Sequence, residues 1–132
     1  MKTLIKNARI VTSSEIIENG ICVFSNGKID YVGKEIKPAD QIIDAKNSYL
    51  VPGFIDIHCH GGDGLEFMDA SVEEIKKIAD FHLAHGTTTM LATTLTASEL
   101  EIETALENFK AYKEKSPKST LIGAHLEGPW LN

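Results

Sequence analysis

The sequence predicts an α/β protein in which a parallel sheet follows a short all-β segment. Residues 1–50 contain β-branched runs separated by turn residues, including the pair Asn26-Gly27. From Pro52 onward, apolar strand patterns alternate with amphipathic helical patterns, and each helix opens with a Ser/Glu capping box. Strand–helix–strand units with right-handed crossovers form parallel sheets. We therefore expect a boundary that separates residues 1–51 from residues 52–132.

The composition is that of an ordinary globular protein, with 132 residues, 42% hydrophobic and 24% charged. The formal net charge of −6 argues against a general nucleic-acid or anionic-membrane surface. No apolar run approaches the roughly 18 residues of a membrane span, and the N-terminus lacks a signal-peptide core. Cys22 and Cys59 show no disulfide-framework spacing. The cytoplasm is the expected compartment.

The first segment is expected to be a sheet without catalytic residues. Its predicted strands are 4–11, 20–24, 28–33 and 41–45. Asn26-Gly27 predicts a tight hairpin, because a type I′ turn needs positive φ at both central positions. Asp30 and Asp44 are interpreted as ordinary carboxylates of turns or strand ends.

The second segment is expected to contain three strands and two helices. The predicted strands are 54–60, 87–95 and 120–127. Ser71 with Glu74, and Ser98 with Glu101, form the capping boxes that open the helices. Gly86 is suited to end the first helix. The second strand lacks a polar face, as is typical of a parallel strand covered on both sides.

Two histidines at the end of the first strand are the leading candidates for chemistry. Side chains alternate along a strand, so Asp56, His58 and His60 share one face, while Cys59 lies on the other as a packing residue. Two neighbouring imidazoles can hold a metal ion. An isolated His-x-His fits two polar histidines at a sheet edge equally well.

Glu127 at the end of the third strand strengthens the metal hypothesis. The carboxyl ends of parallel strands meet at one edge, where ligands gather in such folds. Glu127, His58 and His60 would then form a divalent-metal site, although an ordinary strand-end glutamate is the alternative. His125 shares the face of Glu127. His82 and His85, on the first helix or at its end, are not expected to be ligands.

Several segments carry a resemblance to a known family. Residues 51–61 resemble the opening metal motif of the amidohydrolase superfamily, and residues 85–89 resemble its following helix-to-strand junction. The segment 125–129 (His-Leu-Glu-Gly-Pro), with the glycine-rich segment 61–64 and Met68-Asp69, is similar to the N-acetylglucosamine-6-phosphate deacetylase family. The resemblance implies a β-sandwich-like segment at residues 1–51. It also implies that residues 52–132 are the first three strand–helix units of a (β/α)8 metal-dependent hydrolase barrel, left incomplete.

The resemblance also implies a reaction and roles for residues. The reaction is metal-dependent hydrolysis of the N-acetyl group of N-acetylglucosamine 6-phosphate to glucosamine 6-phosphate and acetate, in amino-sugar catabolism. Glu127, His58 and His60 would bind one or two ions, zinc or iron. Gly61, Gly62 and His125 would contact the sugar phosphate. Asp56 is open to two interpretations, as a residue that orients a histidine or as a carboxylate paired elsewhere.

A (β/α)8 barrel needs about 250 residues. The resemblance therefore implies an N-terminal fragment of a longer, homo-oligomeric enzyme, with the acid–base aspartate downstream of Asn132 and little activity in this chain alone. The alternatives are another amidohydrolase, dihydroorotase-like or adenine-deaminase-like, or a non-catalytic fragment that associates through unpaired strand edges.

Overall fold

The computed structural model of the protein describes residues 1–129. The chain forms two compact units, one of residues Met1–Pro52 and one that begins at Gly53. The last three residues of the predicted 52–132 segment lie outside the described residues. Within residues 1–129, neither helix is long and apolar enough to cross a membrane.

Ten strands and two helices are described. In chain order they are β1 (Lys2–Val11), β2 (Ile16–Ser25), β3 (Lys28–Gly33), β4 (Gln41–Asp44), β5 (Tyr49–Leu50), β6 (Phe54–Cys59), β7 (Gly61–Gly62), β8 (Leu65–Glu66), α1 (Val72–Ala84), β9 (Thr87–Thr93), α2 (Glu99–Lys115) and β10 (Leu121–His125).

The first unit is one five-stranded sheet. The strand order is β3-β2-β1-β4, and β5 also pairs with β1. β2 pairs antiparallel with both β1 and β3, whereas β4 and β5 run parallel to β1. The predicted Asn-Gly hairpin is confirmed, because Asn26 and Gly27 have φ of 50° and 74° and join Ser25 to its partner Lys28. The sandwich-like arrangement of residues 1–51 stays a prediction.

The second unit is a mixed α/β structure around a parallel sheet. The strand order is β10-β9-β6, and both neighbours run parallel to β9. The helices connect successive strands of this sheet, as the alternating sequence pattern predicts. Buried side chains from the sheet, from both helices and from the segment before α1 form one apolar core: Phe67, Ala70, Ile75, Ile78, Ala79, Met90, Ala92, Tyr112 and Leu121.

Both predicted capping boxes are present. The Ser71 Oγ accepts a hydrogen bond from the Glu74 N–H, and the Glu74 carboxylate accepts one from the Ser71 N–H. Ser98 and Glu101 repeat this arrangement at the start of α2. Gly86 follows the C-cap of α1 with φ of 95°, as expected for a glycine that ends a helix.

The glycine-rich segment after β6 is a hairpin rather than an open loop. β7 and β8 pair antiparallel through Gly61↔Glu66 and Gly62↔Leu65. Asp63 and Gly64 form the turn, with φ of 54° and 76°. Asp-Gly favours the same type I′ geometry as Asn-Gly, which explains why this short segment closes on itself.

Candidate metal centre

The predicted metal-binding side chains converge in the second unit. His58 lies on β6, His60 follows the end of β6, and Glu127 lies two residues beyond β10. The Glu127 Oε2 atom is 2.6 Å from His58 Nε2 and 3.1 Å from His60 Nε2. One potential ligand atom from each of the three residues lies within 4.8 Å of the other two. The strand parity and the parallel sheet therefore bring together the residues that the sequence singles out.

The electrostatics of the group favour an ionised carboxylate. The hydrogen bond from His58, more than any other contact, holds the pKa of Glu127 below its usual range, and the nearby imidazoles act in the same direction. An ionised carboxylate only accepts, so His58 Nε2 donates in this contact. The side chains of His58, His60 and Glu127 are themselves partly exposed, which leaves the group accessible to solvent.

The donor set fits a divalent metal. Two imidazole nitrogens and one carboxylate oxygen lie close together near the ends of β6 and β10, and this N/N/O combination suits zinc or iron. An ion at that position would replace the His58–Glu127 hydrogen bond, because the nitrogen lone pair must be free to coordinate.

The backbone of this segment is fixed by neighbouring elements. The Cys59 N–H donates to the buried Thr93 Oγ1 at 2.9 Å, and the His60 carbonyl accepts from the Phe67 N–H at 2.8 Å. Asp56 Oδ1 accepts from the His58 main-chain N–H at 3.1 Å. This contact restrains the main chain at His58 and does not involve the His58 imidazole.

His125 lies beside the converging group of His58, His60 and Glu127. Its ring centroid is 4.6 Å from that of His58 in an edge-to-face arrangement. Its Nδ1 donates to the Ile57 carbonyl at 2.9 Å, which ties β10 to β6 across the end of β9. His125 is not one of the three converging residues. Its predicted contact with substrate stays a prediction.

Gly61 and Gly62 are enclosed by protein on the sides where a side chain would project. A Cβ on Gly61 would overlap the Leu65 carbonyl oxygen, and one on Gly62 would lie 2.8 Å from His82 Nε2. Packing within the hairpin accounts for Gly61, and packing of the hairpin against α1 accounts for Gly62. Their predicted substrate contact stays a prediction.

Cys59 and the two helix histidines lie outside the converging group. Cys59 packs against the apolar core, and burial raises the pKa of its thiol. Its Sγ donates to the Gly61 carbonyl at 3.0 Å. His82 Nε2 is 2.9 Å from that same carbonyl oxygen, whereas His85 Nδ1 donates to the Phe81 carbonyl at 2.7 Å. The sequence pattern contains no sign of the contact between His82 and Gly61.

Comparison with known proteins identifies the class. Residues 49–132 match the model of the Amidohydrolase family. The chain belongs to the amidohydrolase family.

Among individual proteins, the chain is similar to deacetylases over nearly its full length and to a dihydroorotase over a shorter segment. Over 98% of its length the chain is 40% identical to an N-acetylglucosamine-6-phosphate deacetylase of Bacillus subtilis, of which the match covers 34%. A dihydroorotase of Pediococcus pentosaceus is 44% identical, over 48% of the chain and 15% of that relative. The chain thus spans about a third of the length of the curated deacetylase that it matches.

Solved structures of deacetylases are also similar to this chain. The crystal structure of N-acetylglucosamine-6-phosphate deacetylase from Pasteurella multocida superposes with a TM-score of 0.86 at 27% identity, covering 100% of this chain and 35% of that one. A variant of the Mycobacterium smegmatis deacetylase, solved with N-acetyl-D-glucosamine-6-phosphate, gives a TM-score of 0.78 at 29% identity, covering 99% of this chain and 34% of that one.

Proposed function

We propose that this chain is the N-terminal part of a metal-dependent deacetylase. The enzyme would hydrolyse N-acetylglucosamine 6-phosphate to glucosamine 6-phosphate and acetate. The observation that carries the proposal is the convergence of His58, His60 and Glu127, in a chain that resembles deacetylases over nearly its full length. The dihydroorotase similarity, which covers less than half of the chain, makes a cyclic amide the second candidate substrate.

The fold proposal follows from the same similarity. β6, β9 and β10 would be the first three strands of a (β/α)8 barrel, with α1 and α2 as its first helices. The sheet of residues 1–51 would belong to a β-sandwich-like domain, and residues 52–132 to the barrel. The parallel order β10-β9-β6 supports this arrangement, because consecutive barrel strands are neighbours.

The metal would be held by the Nε2 atoms of His58 and His60 and by the carboxylate of Glu127. Zinc or iron is proposed, as one or two ions. When bound, such a metal supplies Lewis-acid polarisation of the acetyl carbonyl and lowers the pKa of a coordinated water toward about 7.

The chain's own residues prepare the site for that chemistry. Glu127 is held ionised, because its contacts with the imidazoles lower its pKa. The Asp56 contact fixes the backbone at His58, and the Ile57–His125 hydrogen bond holds the two ligand-bearing strands together. His125, Gly61 and Gly62 are proposed to line the sugar-phosphate side. The acid–base aspartate is assigned to no residue of this chain, and the assembled enzyme is proposed to be a homo-oligomer.

The test is hydrolysis by the protein encoded in the complete reading frame that contains this chain. We expect acetate release from N-acetylglucosamine 6-phosphate. Glu127→Gln should lower kcat/KM about 100-fold or more, because metal polarisation contributes several kcal/mol to the transition state. Glu107→Gln, which changes an exposed glutamate on α2, is the matched control and should leave the rate unchanged.

Two results would overturn the proposal. Turnover of dihydroorotate with no release of acetate would favour the cyclic-amide alternative. Full deacetylase activity in Glu127→Gln would remove the proposed metal centre from the reaction.

A further inference from the structure

The backbone around His60 is held at three consecutive residues by three different parts of the second unit. Thr93 at the end of β9 accepts from the Cys59 N–H, and Phe67 donates to the His60 carbonyl. The third contact comes from α1, where His82 Nε2 is 2.9 Å from the Gly61 carbonyl oxygen. The backbone of residues 59–61 is therefore restrained from three sides, and these restraints fix the main chain from which the His60 side chain projects.

The contact with Gly61 defines the tautomer of His82. A carbonyl oxygen only accepts, so His82 Nε2 must carry the proton in this hydrogen bond. The Cys59 thiol donates to the same oxygen at 3.0 Å. A carbonyl has two lone pairs, and both donors can therefore be accommodated. Cys59 Sγ and His82 Nε2, 3.4 Å apart, are then two donors on one acceptor.

The hairpin beside His60 depends on this support. β7 and β8 contain two residues each, and so short a hairpin is not stable by itself. The ring of His82 packs directly against this hairpin. The approach is so close that a Cβ on Gly62 would lie 2.8 Å from Nε2 and 3.2 Å from Cδ2 of His82. The half-buried imidazole of His82 thus both donates a hydrogen bond to the β7–β8 hairpin and packs closely against it, directly after His60.

We propose that His82 is a positioning residue for the metal centre: through the Gly61 carbonyl it fixes the hairpin that sets the orientation of His60. This inference rests on the proposed metal-binding role of His60. His82 itself does not reach the metal-binding group. Groups that orient metal ligands from outside typically change metal affinity about 10- to 100-fold when removed.

The first measurement needs no metal. Nitrogen-15 NMR of the metal-free 132-residue chain should show His82 as the Nε2–H tautomer. Amide hydrogen exchange at Phe67, which donates to the His60 carbonyl, should become faster in His82→Leu and should stay slow in His82→Gln, whose amide nitrogen can still donate. His85→Leu removes the exposed histidine at the C-cap of α1 and should leave the Phe67 amide unaffected.

The second measurement is titration with Co²⁺, followed by its absorption spectrum. We expect His82→Leu to weaken Co²⁺ binding about 10-fold or more and to change the spectrum, because the geometry at His60 is altered. His82→Gln should bind within about 3-fold of the parent chain, by the same reasoning about a preserved donor. His85→Leu should match the parent.

The outcomes separate this inference from the proposed function. Equal Co²⁺ affinity and spectra in His82→Leu and the parent, an Nδ1–H tautomer, or failure of His82→Gln to restore Phe67 protection would overturn it. If His82→Leu does not fold, the inference is still tested by the His82 tautomer in the parent chain and by Phe67 amide exchange in His82→Gln compared with the parent. Absence of Co²⁺ binding in the parent chain would instead count against the metal centre. The metal-free measurements would then test separately whether His82 fixes the hairpin.

Discussion

At the scale of single residues, the proposed metal-binding group shows which contacts can be predicted from a sequence. His58, His60 and Glu127 are predictable because strand parity and the shared edge of parallel strands are regular geometric rules. The contact of His82 with Gly61 is not predictable in this way. It joins a helix to a hairpin and depends on side-chain packing across residues that no periodic pattern relates.

The glycines give the residue-scale prediction. Gly61→Ala should lower the free energy of unfolding by about 1–3 kcal/mol, because the new Cβ would overlap the rigid Leu65 carbonyl. Gly123→Ala is the control, since its Cβ would lie 3.1 Å from the mobile end of the Leu91 side chain. Urea unfolding of the two variants measures the difference. Equal stability would show that the hairpin is looser than described.

At the scale of elements, the sequence predicts helix starts more accurately than helix faces. The Ser/Glu spacing predicts both capping boxes, because the hydrogen bonds involved are local. By helical periodicity, Leu83 shares one face of α1 with the buried residues Ile75 and Ile78, yet Leu83 is 50% exposed in the structure. Burial in the last turn depends on neighbouring elements, which periodicity does not report.

The capping boxes give the element-scale prediction. Ser71→Ala should lower the free energy of unfolding by about 1 kcal/mol at neutral pH, because the first turn of α1 loses its cap. The difference from the parent should shrink in acid. The Ser71 hydroxyl is the main cause of the lowered pKa of Glu74, so the folded pKa lies below the unfolded value of about 4.3. The stabilisation is therefore complete above that value and lost as the pH falls through the folded pKa.

Thermal unfolding of Ser71→Ala between neutral pH and pH values below 4 measures both effects. Ser14→Ala, which alters an exposed serine in the turn between β1 and β2, is the control and should unfold like the parent. A constant difference between Ser71→Ala and the parent at every pH would contradict the role given to Glu74.

At the scale of the whole molecule, the second unit has an open sheet among its described residues. β6 and β10 are its outer strands, and Ile55 on β6 and Ile122 on β10 are 71% and 62% exposed. The alternation of strands and helices predicts this parallel sheet, whereas its closure into a (β/α)8 barrel is a proposal. Outer strands with exposed apolar side chains favour strand pairing between molecules.

The exposed outer strand β6 is expected to promote self-association of the chain. Ile55→Lys should reduce self-association of the 132-residue chain, because a charged side chain on an outer strand opposes pairing. Leu100→Lys adds the same charge at an equally exposed site on α2, with 72% exposure, and should have no effect. Sedimentation velocity compares the three chains. A similar decrease in both variants would indicate general charge repulsion rather than pairing at the edge.

The proposed function of this site depends on our proposal that His58, His60 and Glu127 hold a divalent metal. Anomalous diffraction at the zinc edge, from crystals of the 132-residue chain grown with zinc, tests it most directly. We predict an anomalous peak at about 2.0–2.2 Å from the Nε2 atoms of both histidines and from a carboxylate oxygen of Glu127. The peak should be absent in Glu127→Gln. No peak at this position in the parent chain, or a peak bonded only to other residues, would contradict the claim.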